Sequence, residues 1–414
     1  MGEAGQLPEA WYNQMRCVDM QINSLRTNNF KSLVDFRIDL ANFNCLIGLN
    51  GSGKSTVLQF IDFLAQQVRG DIGGWLDERS WKAADINSQM TGKKNVNFVV
   101  ELQSSNEPTM VTWRASFNTS QLHCTSERIE TAEVILEVQK GQLRILEKPQ
   151  TNTSNGKQIH NEKISFSYEG SVLSQLRKET LPAALTAFKA YFTSVKSLEL
   201  LSPEYLRRRT RESAGTLGLG GQRLSAYLHE LGAKKRGDLA QRLKSAYPQL
   251  ESLNTTSLRS GWKQLEITET YRGTDEGVLP RMTTEARHVN DGMLRLIAIL
   301  AELQSDHQFL LFDEIENGIN PELVEFVLAA LTMTPKQVLV TTHSPMILNY
   351  LSDELAKEAV VYLYKTPQGF TRAIPFFSIP SLAEKLTVMG PGEVFVDTNL
   401  IALSEEIEAV REAQ

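Results

Sequence analysis

Apolar residues follow three rhythms along this chain. Residues 34–40 alternate apolar and polar without a break, the pattern of a half-buried strand, and 42–47 form a short apolar run that reads as a fully buried one. Residues 56–64 then space their apolar side chains as a helix does. Further strands are expected at 96–102 and 110–117, followed by a hairpin over 133–146 that turns at Lys140-Gly141. From about 172 to 258 the spacing becomes helical, broken by a glycine cluster at 215–221, before residues 264–270 alternate again. The last third gives a helix from Gly292, a strand at 309–312, a helix from Pro321, a strand at 337–341 and a helix from Ser344. That rhythm belongs to a parallel α/β layer. The expected organisation is an α/β fold with a split core. Residues 1–170 form its β-rich first half, 171–262 a helical insert or lid, 263–380 its second half, and 381–414 a helical tail.

Chemistry enters where the buried run meets the first helix. Gly48-Leu-Asn-Gly-Ser-Gly-Lys-Ser-Thr56 fills the template Gly, four free positions, Gly, Lys, Ser or Thr through Gly48, Gly53, Lys54 and Ser55. A chance match somewhere in a chain this long is on the order of one in a hundred. Strand, glycine loop and helix is also the context the chemistry requires. Glycines let successive backbone N–H groups curl around phosphate oxygens where a side chain would intrude. Asn50, Gly51, Ser52, Gly53, Lys54, Ser55 and Thr56 are therefore the candidate phosphate ligands, with the Ser55 hydroxyl in reach of a magnesium ion. The cofactors expected are ATP and Mg2+.

Two strand ends supply the rest. Four apolar residues at 309–312 deliver Asp313 and Glu314; the first is placed to hold the magnesium shell, the second to polarise the water that attacks the γ-phosphate. An apolar strand ending in Asp-Glu is common by itself, and it gains meaning only downstream of a phosphate loop. The β-branched strand at 338–342 ends in His343, about 30 residues after the acidic pair, as a candidate γ-phosphate sensor. Glu314, His343 and Lys54 are the candidate catalytic residues. Residues 392–397 carry Glu393 and Asp397 but are read as a surface strand, not a metal site.

Composition narrows the class. The chain has 414 residues, 41% hydrophobic and 22% charged, which is ordinary globular composition for two or three packed units. A formal net charge of -6 argues against coating nucleic acid over the whole surface while permitting a local basic patch. Cys17, Cys45 and Cys124 show no paired spacing and fit a reducing compartment. The polar, acidic start and the absence of an 18-residue apolar stretch lead to the expectation of a soluble cytoplasmic protein with no membrane partner.

The order of phosphate loop, Asp-Glu strand and His strand resembles the ABC ATPase class. His288-Val-Asn-Asp-Gly-Met-Leu-Arg295 is similar to the Leu-Ser-Asp-Gly-Thr-Leu-Arg signature of ATPases of the RecF, SMC and OLD type, with Asn290 where Ser is usual and Met293 where Thr or Gln is usual. The resemblance implies that Asn290 and Gly292 face the γ-phosphate bound by a second subunit, giving a homo-oligomer with composite ATP sites. Leu25-Arg-Thr-Asn-Asn-Phe-Lys-Ser32 looks like the opening of such heads, which implies that Arg26, Lys31 and Ser32 approach the nucleotide. Asn317 to Pro321 stands where the class has its D-loop, with Asn320 at the usual Asp position. The lid-loop Gln finds no place; Gln103 ends a strand too early in the fold.

More than two hundred residues separate Lys54 from Asn290, well over the spacing of transporter ATPases, and the insert lacks the heptads of an SMC coiled coil. The pattern resembles stand-alone RecF/OLD-type ATPases found in bacterial genomes, including antiphage systems. This implies an ATP-dependent dimerising switch that controls an effector protein (a nuclease or toxin encoded nearby) or DNA or RNA. About 60 residues follow the last core helix, too few for the nuclease domain of OLD proteins, so a partner would supply any cleavage. Arg207 and Arg211 would share a helix face, and with Lys234 to Arg236 they could hold phosphates of DNA or RNA, dock an acidic partner, or form a solvated face paired with nearby Glu residues. The alternatives are a RecF-like DNA-binding repair ATPase and a scaffold or sensor in which ATP is structural.

Overall fold

The computed structural model describes residues 20–104, 110–148, 158–200, 202–271 and 281–412. Strands β1 (Met20–Asn28), β2 (Phe36–Asp39) and β3 (Phe43–Ile47) lead through the glycine loop into α1 (Lys54–Arg69) and α2 (Ile72–Glu78). Then come β4 (Asn95–Ser104), β5 (Met110–Asn118), β6 (His123–Glu130), β7 (Val134–Gln139), β8 (Gln142–Glu147) and β9 (Gln158–Lys163). The middle holds α3 (Ala183–Thr193), β10 (Val195–Leu198), α4 (Pro203–Leu206), α5 (Leu224–Leu243), β11 (Leu250–Ser257), β12 (Lys263–Thr270) and β13 (Arg281–Glu285). Next are α6 (Asp291–Leu303), β14 (Phe309–Phe312), α7 (Pro321–Thr332), β15 (Gln337–Thr341), α8 (Pro345–Asn349) and α9 (Asp353–Ala359). The final elements are β16 (Val360–Lys365), β17 (Thr371–Pro375), α10 (Pro380–Lys385), α11 (Pro391–Val396) and α12 (Leu400–Glu412).

A six-stranded sheet of order β10-β14-β15-β3-β16-β17 forms the nucleus. Its first five strands pair in parallel, and only the edge strand β17 runs antiparallel. Parallel strands covered on both faces are continuous apolar runs, because neither face meets water. Here the alternation of side chains sorts β14 between two cores: Phe309 and Leu311 enter one, Leu310 and Phe312 the other. The first core also takes α1 and an eight-stranded antiparallel sheet, β2-β1-β4-β5-β6-β7-β8-β9. The second takes α5 to α9 and the sheet β11-β12-β13.

Helix α1 explains why the two sheets meet. Val57, Phe60, Ile61, Phe63, Leu64 and Val68 are all buried, and Gly70 (φ 81°) ends the helix by donating its N–H to Gln66. Phe60 packs edge-on to Phe98 of β4, and Phe63 does the same to Phe117 of β5. Truncating either ring to Ala is worth about 3–5 kcal/mol of stability in such a core. Lys140 and Gly141 (φ 51° and 74°) make the tight turn between β7 and β8, a mirror-image geometry that suits the twist of a hairpin.

Three expectations need correction. Residues 171–262, expected to be a helical insert, contain β10, an edge strand of the core sheet, and β11, which pairs with β12. Pairing with Phe309–Phe312 is what makes a strand of Val-Lys-Ser-Leu, a sequence with too little pattern to announce itself. Residues 392–397, read as a surface strand, belong largely to α11, started by Pro391 and by Glu393 accepting the Gly390 N–H at 2.9 Å. Arg207 and Arg211 do not share a helix face, because α4 ends at Leu206. Cys45 and Cys124 are buried free thiols, whereas Cys17 lies outside the described residues. Among the described residues, no helix is long and apolar enough to cross a membrane.

Candidate nucleotide-binding and hydrolysis site

The glycine loop is closed in from behind. A Cβ on Gly48 (φ 144°) would sit 2.2 Å from the Leu363 carbonyl of β16, and one on Gly53 (φ 109°) would sit 2.4 Å from Thr371 Oγ1 of β17. Gly51 (φ 76°) faces open space, and Asn50 and Gly51 form the exposed lip. The Ser52 hydroxyl is buried without a hydrogen-bond partner. Lys54 is 5% exposed, and its ammonium donates to the carbonyls of Gly48 at 2.8 Å and Leu49 at 3.2 Å. Burial pulls its pKa down to about 8, while Asp313, Glu314 and Glu316 work against that. Ser55 and Thr56 occupy the first turn of α1, where no acidic side chain competes for the helix's positive end. A pocket with an orphaned hydroxyl, a charged lysine and a cradle that no Cβ could enter fits a phosphate chain.

The acidic wall lies two strands away. Parallel register sets Phe312 of β14 beside Val340 of β15, and Val340 beside Cys45 of β3, so all three strands end at one level. Asp313 and Glu314 follow β14 directly, and Glu314 adopts a left-handed backbone (φ 48°). Its carboxylate lies 3.9 Å from His343 Nε2 and accepts a hydrogen bond from Asn317 Nδ2 at 3.3 Å. His343 is tied back by its own N–H, which donates to Glu316 Oε1 at 2.8 Å. The structure thus brings Lys54, Asp313, Glu314 and His343 to the same end of the core sheet.

The opening segment divides. Ser32 Oγ hydrogen-bonds Thr371 Oγ1 at 2.8 Å, and Thr371 donates to the Ser52 carbonyl at 2.9 Å, so Ser32 lies against the loop through one intermediary. Lys31 donates to Gln59 at 2.9 Å, with its ammonium 3.2 Å above the Trp81 ring, and burial lowers its pKa to about 8. Asn29 and Phe30 serve the fold: the Asn29 amide donates to the carbonyls of Lys93 and Asn95, and Phe30 packs on Phe60 and Phe63. Arg26 is exposed on β1 between the buried Leu25 and Thr27, hence on the sheet face turned away from α1. The structure does not bring it to the loop.

The signature segment is built as a helix start. Asn290 caps α6, its Oδ1 accepting the Met293 N–H at 2.8 Å. A Cβ on Gly292 would meet the Gly318 carbonyl at 2.9 Å, and Arg295, 4% exposed, packs beneath Gly318. Arg207 hydrogen-bonds the Val289 carbonyl at 3.0 Å and pairs with Asp291. The neighbouring basic residues are engaged as well: Arg209 with Glu285 at 2.9 Å, Arg208 over Tyr205 and Arg211 over Trp262.

Sequence reasoning missed three residues here. Thr341 of β15 bridges Asp313 and Glu314. Thr371 braces the loop from β17. Glu199 follows β10 beside Asp313, half-buried; burial raises its pKa, as does Asp313, while Arg79 and Lys31 oppose that. Only Glu199 carried a signal, an acid closing a strand, and that strand went unread. Gln103 sits within β4, accepting from Asn23 Nδ2 at 3.0 Å.

A parallel core with a glycine cradle and a strand-end Asp-Glu pair defines a P-loop nucleoside triphosphatase. The comparisons sharpen the class. Residues 20–206 match the AAA ATPase domain family, and residues 229–349 match the family described as AAA domain, putative AbiEii toxin, Type IV TA system. No curated protein matches the chain. Among solved structures, an SMC head bound to the C-winged helix domain of ScpA aligns with a TM-score of 0.51 at 14% identity, over 85% of this chain and 97% of that one. A Pyrococcus furiosus SMC head with an extended coiled coil, bound to the C-terminal domain of ScpA, gives 0.51 at 11% identity, over 89% and 100%. Those likenesses show the fold. The chain is thus an ATPase similar to the AAA ATPase domain families over residues 20–206 and 229–349, with the fold of an SMC head.

Proposed function

We propose that this ATPase is a dimerising switch whose nucleotide state controls a partner protein in bacterial antiphage defence. Each copy binds ATP with Asn50 to Thr56, Lys54 neutralising the phosphates, while Ser55 and Asp313 are the residues that would hold Mg2+. The metal would supply charge neutralisation at the phosphates. Glu314 then orients and polarises the attacking water, and His343 senses the γ-phosphate from the next strand. Two copies close face to face, the Asn290–Gly292 tip of one roofing the cradle of the other, which leaves a two-fold contact.

One observation carries the reading. Gly292 lies so close to the Gly318 carbonyl that a Cβ would meet it at 2.9 Å, and the adjacent Asn317 hydrogen-bonds the Glu314 carboxylate at 3.3 Å. The tip that would read a partner's phosphate is therefore linked, through the two-residue step at 317–318, to the acid that works on its own. Closure at one site and hydrolysis at the other would be coupled through that step.

The family description naming a toxin supports an effector context, and the SMC heads, seen bound to ScpA domains, support a protein partner. The basic run favours this over nucleic acid, since Arg207 and Arg209 pair with acids while Arg208 and Arg211 lie over aromatic rings. The test is the mass of the Glu314→Gln variant with and without ATP. It should trap ATP and double in mass by light scattering, and an unchanged mass at saturating ATP would refute the switch.

A further inference from the structure

We infer that Thr341 is a positioning residue for hydrolysis, holding the metal-binding and water-activating carboxylates in their working relation. The inference rests on the reading of Asp313 and Glu314 given above. Thr341 is the last residue of β15, fully buried, and three groups of the neighbouring turn converge on it. Its hydroxyl donates to Asp313 Oδ1 at 2.5 Å. The same oxygen accepts the N–H of Glu314 at 2.8 Å. Its carbonyl accepts the N–H of Ile315 at 3.2 Å.

A hydroxyl has one proton to give and two lone pairs to offer, so Thr341 uses its donor on the carboxylate and an acceptor on the amide. An ionised Asp313 can only accept, which fixes the direction of that bond. The amide it accepts belongs to the residue with the unusual backbone: Glu314 stands at φ 48°, a region that a side-chain-bearing residue enters only when its surroundings hold it there. Thr341 supplies much of that hold. The strand carrying His343 two residues later thus also sets where Asp313 points and how Glu314 leaves the sheet. Movement of β15 against β14 would displace the acid, the metal ligand and the sensor together.

Valine has the shape of threonine without the hydroxyl. Thr341→Val should bind ATP within about threefold of the parent protein. Its kcat should fall about 100-fold, the scale expected when a reacting group is displaced by around an ångström. The magnesium concentration for half-maximal turnover should rise with it. Thr341→Ser keeps the hydroxyl and should restore both. A merely structural threonine would change thermal stability and leave the kcat-to-KM split and the magnesium dependence as they were.

The experiment measures steady-state phosphate release against ATP and Mg2+ for the full chain, with Glu314→Gln as reference. Loss of turnover in Thr341→Val, recovered in Thr341→Ser, supports the assignment. Parent-like kcat in Thr341→Val while Glu314→Gln is inactive overturns it and leaves the hydrolytic reading standing; an active Glu314→Gln overturns that reading itself. Should Thr341→Val not fold, Thr341→Ala and Thr341→Ser decide, since both lack the methyl group and only one retains the hydroxyl. Equal kcat in that pair overturns the proposal.

Discussion

The glycine cradle and the signature tip are both loops that open helices, yet they are built in opposite ways. The cradle is finished within its own chain: Leu363 and Thr371 close its back, Ser32 braces it through Thr371, and Lys54 sits inside it. The tip is held only from beneath. Asn290 caps α6, Gly318 and Arg295 support Gly292, and Arg207 clamps Asp291. A phosphate chain would find its ligands in the first; the second offers a capped helix end outward. That asymmetry is what a pair of copies would resolve.

The comparison can be broken at the cradle first. Lys54→Ala removes the charge inside the finished half, and ATP affinity should drop about 100-fold or more, read by equilibrium titration with a fluorescent nucleotide. Gly53→Ala places a methyl group 2.4 Å from Thr371 Oγ1 at a φ of 109°, so it should destabilise the fold by about 1–3 kcal/mol, measured by denaturant unfolding. An unchanged midpoint would mean that β17 is not a rigid back wall.

Proton chemistry sharpens the contrast. Burial holds the Lys54 pKa at about 8, against the pull of Asp313, Glu314 and Glu316. The charged form binds phosphate, so affinity is full below that pH and falls as pH rises through it, approaching tenfold per pH unit above about 8. Lys31 titrates in the same range but sits over Trp81, so Lys31→Gln should leave the trend in place. If Lys31→Gln flattens the profile, the opening segment belongs to the phosphate site after all. The smallest effect is expected at the tip: Asn290→Ala loses the cap of α6, about 1 kcal/mol by thermal or chemical unfolding, with ATP binding by the isolated copy unaltered.

The cradle was legible because its chemistry is local: Gly48, Gly53, Lys54 and Ser55, the four positions the template fixes, lie within one short stretch that wraps phosphate with its own backbone. The Asp313 and His343 strands were legible because parallel strands covered on both faces cannot hide their apolar runs. Thr341, Thr371 and Glu199 were not, since each acquires its role from register between segments distant in sequence. Strand β10 shows the limit, four residues including Lys196 whose extended form comes from lying beside β14. The run at Arg207 to Arg211 misled for a related reason: one-dimensional spacing suggested a face, whereas a four-residue helix ends at Leu206 and the arginines turn to Asp291, Glu285 and two rings.

The most direct test of the paired site mixes two damaged copies. Lys54→Ala has an intact tip and a crippled cradle, and Asn290→Asp has an intact cradle and a tip that keeps the cap of α6 while carrying a charge where the γ-phosphate of its twin would lie. Each alone should hydrolyse almost no ATP. Mixed in equal amounts, half of the dimers would contain one sound composite site, so phosphate release should recover to about a quarter of the parent rate. No recovery in a mixture shown by native mass spectrometry to contain heterodimers, or full activity of Asn290→Asp alone, would contradict the account.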